Sequence, residues 1–126
     1  MRQTFTIPGR LDGMNDLIAA NRSSRYTGAQ LKRDNQFNVV IAIRKAHLKP
    51  IGSRCRLMYT FFEPNMRRDM DNISGMAHKV IQDALVEAGI LEGDGWRHIS
   101  GYTDNFEIDR RNPRIEVTLI YTGAEE

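Results

Sequence analysis

RRDMDNISGMAHKVIQDALVEAG, residues 67–89, is the stretch on which the fold turns. Ile73, Ala77, Val80, Ile81, Ala84, Leu85 and Ala88 recur at the spacing of one helix face, and Gly89 supplies a stop. The periodicity predicts an amphipathic helix from about Asn72 to Ala88. Upstream, Cys55-Arg56-Leu57-Met58-Tyr59-Thr60-Phe61-Phe62 has the alternation and aromatic content of a central strand and stops at Glu63-Pro64-Asn65. Asp69-Met70-Asp71-Asn72 therefore lies just past a strand and just before a helix, where α/β-type folds gather reactive groups.

In an extended segment, residues i and i+2 point to the same side, so Asp69 and Asp71 would stand side by side next to Arg67 and Arg68. Two unit negative charges a few ångströms apart repel by roughly 1 kcal/mol in water and several-fold more at a partly buried site. Either one carboxylate takes a proton or a cation bridges them. All-oxygen ligands favour hard divalent ions, above all Mg²⁺, which keeps several waters and is completed by substrate phosphates. Flanking arginines suit the same chemistry by gripping phosphates. The plainer alternative is helix capping, since Asp and Asn are preferred at helix N-termini.

Elsewhere, Thr4-Phe5-Thr6-Ile7 reads as a short strand ended by Pro8-Gly9. Residues 8–27, rich in Gly, Asn and Ser with Arg10, Arg22 and Arg25, read as a long irregular loop of the kind that is functional or mobile. From about Ala29 to Ala46 the apolar Leu31, Phe37, Val40, Ile41, Ala42 and Ile43 predict a helix closed by Pro50 and Gly52. Its Lys32, Arg33, Arg44 and Lys45 form a basic face, open to solvent or to DNA. Within the 72–88 helix, Asn72, Lys79 and Asp83 share one flank, and Lys79 and Asp83, four apart, can pair as an ordinary helical salt bridge. Gly93-Asp94-Gly95 holds an aspartate in a flexible turn. Ile99–Tyr102 and Arg114–Tyr121 read as strands joined by a polar connection, with Ile115, Val117, Leu119 and Tyr121 on the core. The tail after Gly123 is expected to fray.

The 126 residues bound the chain to a single domain over 1–126. The lone Cys55 excludes an internal disulfide and a cysteine zinc cluster, and its place in an alternating run makes it a buried strand residue. No run approaches the roughly 20 apolar residues of a membrane span, and no signal-peptide core opens the sequence, so the expected compartment is the cytoplasm. Net charge is only +2, yet residues 1–68 carry 13 Lys/Arg against 4 Asp/Glu and residues 69–126 carry 5 against 12. The basic half suits phosphate backbones, and the acidic half, which contains the Asp-x-Asp, suits cations.

Arg68-Asp69-Met70-Asp71-Asn72-Ile73, Lys79-Val80-Ile81-Gln82-Asp83-Ala84-Leu85, Ala88-Gly89-Ile90-Leu91 and Asp94, in this order, resemble the RusA family of Holliday-junction resolvases. Ile7-Pro8 followed by an Asn/Arg-rich stretch is similar too. The resemblance implies an α+β fold, a small mixed or antiparallel sheet with two main helices packed on it, assembled as a homodimer. It implies a phage or prophage type of endonuclease that cuts four-way DNA junctions with Mg²⁺ or Mn²⁺. It further implies that Asp69, Asp71 and Asp94 form the metal-binding catalytic triad and that Lys79 assists. Gly75 stands where the family's lysine commonly falls, four residues after the second aspartate, and the stretch is four residues longer. One added helical turn keeps Lys79 on nearly the same face, about 6 Å along the axis. Arg67, Arg68, Arg22 and Arg25 are the candidate DNA contacts. The alternative is a non-catalytic phage nucleic-acid-binding module whose acidic cluster is structural.

Overall fold

The computed structural model describes residues 1–122. Its elements are β1 (Arg2–Pro8), α1 (Met14–Ser23), α2 (Arg25–Lys45), β2 (Cys55–Glu63), α3 (Met70–Gly75), α4 (Ala77–Glu87), β3 (Ile99–Ile108) and β4 (Arg114–Tyr121). The four strands form one mixed sheet in the order β1-β4-β2-β3, with β2 and β3 parallel and the other pairs antiparallel. This is an α+β fold. The expected tail beyond Gly123 lies outside the described residues.

Alternation in the strands decides which face is covered. Cys55, Leu57, Tyr59 and Phe61 of β2 and Ile115, Val117 and Leu119 of β4 are buried, as are Phe5 and Ile7 of β1. They meet Val39, Val40, Ala42 and Ile43 from α2 and Val80, Ile81, Ala84 and Leu85 from α4 in one core. Removing this apolar surface from water is the main stabilising term. Phe37 and Ile41 do not share that face: they are 64% and 37% exposed, and Val39 takes the place assigned to them. Burial also pushes the Cys55 thiol up to about 11, which keeps it protonated and unreactive at neutral pH.

Three boundaries differ from those read in the sequence. Residues 8–27 are not a loop, because α1 and the start of α2 fill most of them. Gly13 cannot cap α1 with a side chain, so the cap comes from two other places. Asp16 Oδ2 accepts the Gly13 N–H at 2.8 Å, and Asn72 Oδ1 accepts the Asn15 N–H at 2.8 Å. The predicted 72–88 helix is two segments that meet at Met76, whose φ of −91° and ψ of −28° bend the path without leaving the helical region. Gly89, at φ +79°, ends it as expected, with the Gly89 N–H donating to Val86 and the Ile90 N–H to Leu85. Finally, β3 runs six residues past Tyr102. As an edge strand it pairs only with β2, so polar Thr103, Asn105 and Glu107 are tolerated.

Gly13 marks the tightest approach between α1 and the Asp-x-Asp segment, for a Cβ there would lie 2.5 Å from Asn72 Oδ1. Gly13→Ala should force Asn72 away and uncap α1, lowering stability by about 1–3 kcal/mol. Urea denaturation checks this; an unchanged midpoint would mean that α1 and α3 do not approach so closely.

Candidate functional site

β2 delivers the chain to the Asp-x-Asp through a buried acid. Glu63 continues the inward register of Cys55, Leu57, Tyr59 and Phe61 and is 4% exposed. A carboxylate in that position needs a cation. Arg68 supplies a fork, with Nη2 donating to Oε2 at 2.8 Å and Nε to Oε1 at 3.2 Å, and Arg10 Nη1 adds a third contact at 3.2 Å. Arg68 Nη1 also donates to the Leu11 carbonyl at 3.1 Å. The guanidinium that the sequence offered to phosphate is thus occupied by the fold. Arg67 is exposed, and among the described residues its guanidinium has no partner.

Asp69 is the residue before α3, with extended backbone (φ −69°, ψ 155°), and Asp71 lies in the first helical turn. The extended pairing of the two carboxylates is therefore not realised: the segment has already begun to coil. Asp69 makes no capping hydrogen bond. Both aspartates are exposed, and among the described residues neither carboxylate is in an ion pair or a side-chain hydrogen bond. Asp69 borders an open groove of about 570 Å³ that Phe106 and Ile108 line from β3. A second groove, about 540 Å³, runs alongside Arg67 and is lined by Arg10, Asp12, Asp16 and Asn65.

Asn72, predicted to share a flank with Lys79 and Asp83, instead turns to α1. Lys79 and Asp83 do pair, at 3.1 Å. The same ammonium reaches Asp94 Oδ2, also at 3.1 Å, fifteen residues along the chain. Hydrogen bonds that its ammonium donates to Asp83 and Asp94 hold the Lys79 pKa above its ordinary value, and Lys79 in turn holds the Asp94 carboxyl below the usual range. Both groups stay ionised through neutral pH. Lys79 is thus a fixed positive charge and not a proton acceptor.

Lys79 lies about 12 Å beyond Asp71 along the helix path, and Asp94 is held at its level. The acidic residues thus stand at two positions, Asp69 and Asp71 at the start of α3 and Asp83 and Asp94 around Lys79. Among the described residues no group of three or more His, Cys, Asp or Glu side chains is gathered closely enough to hold a metal ion. By donor chemistry Asp69 and Asp71 fit a hard divalent cation: they offer oxygen alone, exposed and uncommitted. Asp94 is engaged by Lys79 and stands outside that pair.

Arg22, in the last turn of α1, and Arg25, the first residue of α2, are exposed at the corner between the two helices. The expected basic loop is a helical corner.

Sequence reasoning passed over two polar sets. Glu63 was legible, since period-2 alternation carries the buried face straight onto it. His78 Nε2 contacts both Asp104 oxygens, at 2.8 and 3.0 Å, and its ring lies 4.9 Å from that of Tyr59 and 4.4 Å from that of Tyr102. It ties α4 to β3. No local pattern announces that pair, because Asp104 belongs to a strand extension that the sequence reading ended at Tyr102.

Among known proteins, no family model matches the chain and no curated protein does. No helix of the described residues is long and apolar enough to cross a membrane.

The two arginines of the hexad should separate cleanly. Arg68→Ala leaves Glu63 buried with only Arg10 and should cost about 3 kcal/mol, whereas Arg67→Ala should change stability by less than about 0.5 kcal/mol. Equal urea midpoints for the two variants would show that Arg68 has no structural role.

Proposed function

We propose that the chain is a metal-dependent endodeoxyribonuclease of the RusA type, acting in the cytoplasm as a homodimer on four-way DNA junctions. The observation that carries this reading is the Lys79–Asp94 contact at 3.1 Å. The resemblance assigns both residues to one site, although a helix and a separate turn supply them. Exposed Asp69 and Asp71, uncommitted at the start of α3, add the oxygen donors that Mg²⁺ or Mn²⁺ would need. When bound, such an ion supplies a water of lowered pKa and neutralises charge on the phosphate.

The chain's own groups would do the rest. Lys79, permanently charged, stabilises negative charge developing on the phosphate oxygens. Asp83 and Asp94 hold its ammonium in place until a phosphate competes for it. Arg67 is free to grip a neighbouring phosphate, and Arg22 and Arg25 offer two more contacts at the α1–α2 corner. A two-fold dimer suits a junction that needs two symmetric cuts.

A second reading, a non-catalytic nucleic-acid-binding module, is favoured by one observation: among the described residues Asp69, Asp71 and Asp94 are not gathered into one metal-holding group. Single-turnover cleavage of an immobile four-way junction in Mg²⁺ separates the two. The native protein should cut, and Asp71→Asn should abolish cleavage while folding and junction binding stay nearly intact. Asp71→Asn cutting at a near-native rate would remove the nuclease reading, and a native protein that binds without cutting would establish the module.

Lys79→Ala should slow the same reaction by about 10²–10³ with little change in binding, the usual worth of one well-placed charge. A loss within about two-fold would reduce Lys79 to a helix salt-bridge partner. Binding should also weaken steeply between about 50 and 200 mM salt, through counterion release. Flat salt dependence, or unchanged affinity in Arg22→Ala and Arg25→Ala, would clear the helical corner of any role.

A further inference from the structure

Trp96 is the only tryptophan of the chain and is 90% exposed. An indole gives up much apolar contact by standing in water, and its usual place is a core or an interface. The turn that carries it is firmly built. The His98 and Ile99 N–H groups both donate to the Gly95 carbonyl at 3.0 Å, so Trp96 and Arg97 occupy the centre of a closed turn. Each end of that turn is anchored. The His98 carbonyl accepts the Cys55 N–H at 2.9 Å, at the head of β2, and Asp94, next to Gly95, is held by Lys79.

Such a pedestal presents the indole without further backbone ordering when something binds. Beside Trp96 an open groove of about 300 Å³ is lined by a second aromatic ring, Tyr102, itself 48% exposed, and by the polar groups of Gln82 and Ser100. Arg97 is exposed, and among the described residues no carboxylate pairs with it. Two rings on an open groove that Asp94 also lines, with a free guanidinium on the residue that follows Trp96, match a planar base with its phosphate. Stacking on an aromatic face and a cation on the backbone are the two means by which unpaired nucleotides are held. A protein partner would ask for a broader apolar patch than two rings.

We infer that Trp96 is a stacking platform for a nucleobase that lacks a stacking neighbour, in a single strand or at a branch point, with Arg97 on the adjoining phosphate, placed next to the Lys79–Asp94 pair. The inference rests on the DNA-junction reading and deepens it. At a branch point a base lacks one stacking neighbour, so a protein ring can take the missing place at lower cost than inside a duplex.

The single tryptophan makes its own reporter. The full-length protein, in EDTA so that no cleavage occurs, is titrated with oligothymidine, an immobile four-way junction and a linear duplex, with saturation verified by mobility shift. Oligothymidine and the junction should quench Trp96 emission strongly, and the duplex only weakly. Trp96→Ala should bind the junction about ten- to hundred-fold more weakly, the worth of one stacked base, with unchanged circular dichroism. Trp96→Phe should retain affinity within about three-fold.

Unchanged emission at saturating junction, equal quenching by the duplex, or Trp96→Ala binding within two-fold would overturn the inference. These readouts separate it from the nuclease reading. Quenching by a protein that does not cut in Mg²⁺ leaves the platform standing and removes the enzyme, whereas cutting without quenching does the reverse.

Discussion

Glu63 is the constraint on which the site depends. It is an acid at a buried register position, and a buried carboxylate is tolerated only with charged, hydrogen-bonding partners. Arg68 meets that demand from five residues downstream, so the chain between them must fold back on itself. The same guanidinium holds the Leu11 carbonyl, and Arg10 completes the clasp. The Glu63 carbonyl then accepts the Asp109 N–H at 2.8 Å, fixing the end of β3 as well. One buried residue thereby registers three segments, two through its carboxylate and one through its carbonyl, and the residue after Arg68 is Asp69. The position of the Asp-x-Asp is set by an interaction that has no chemistry of its own.

A second polar clasp completes the support. Asn35 is 5% exposed on α2 and exchanges hydrogen bonds with Asp12, taking the Asp12 N–H at 2.9 Å and donating to its carboxylate at 2.8 Å. It also donates to the Leu31 carbonyl. The segment leading into α1 is thus held from both sides, by Arg68 and by Asn35. Asn72 then takes the first turn of α1. The asparagine of the Asp-x-Asp-Asn motif therefore acts within the fold, joining α1 to α3, while the two aspartates keep their oxygens free.

Much of this was legible in the residues, where a single period governs. β2, β4 and the stretch from Ile73 to Ala88 follow from alternation or helical spacing, because each has one strongly buried face. The stop at Gly89 and the Lys79–Asp83 pair follow from local rules. What escaped had non-local causes. The helix α1 begins at a glycine and is capped partly by Asn72, 57 residues away from Asn15. Gly, Asn and Ser in residues 8–27 therefore read as loop although tertiary partners make them helix. The polar half of β3 is sheet because β2 lies beside it and His78 hydrogen-bonds Asp104. Arg68 looked like a phosphate ligand because nothing in its own neighbours, Arg67 and Asp69, shows that its guanidinium folds back onto Glu63.

Topology explains why the acidic residues fall at two positions. β2 and β3 are parallel neighbours, Cys55 beside Ile99 and Glu63 beside Ile108, so the connection between them must return the whole length of the strand. Asp69 and Asp71 follow the end of β2, whereas Asp94 precedes the start of β3, at the opposite end of that return. Only α3 and α4 run between the two ends, and Lys79 sits near the middle of their path. The turn carrying Asp94 reaches it by folding back along α4, past Glu87, to the level of Lys79 and Asp83. The cation therefore stands along the helix toward the turn, and the turn's aspartate binds it there. The two positions of the carboxylates thus follow from the length of helix that separates the end of β2 from the start of β3.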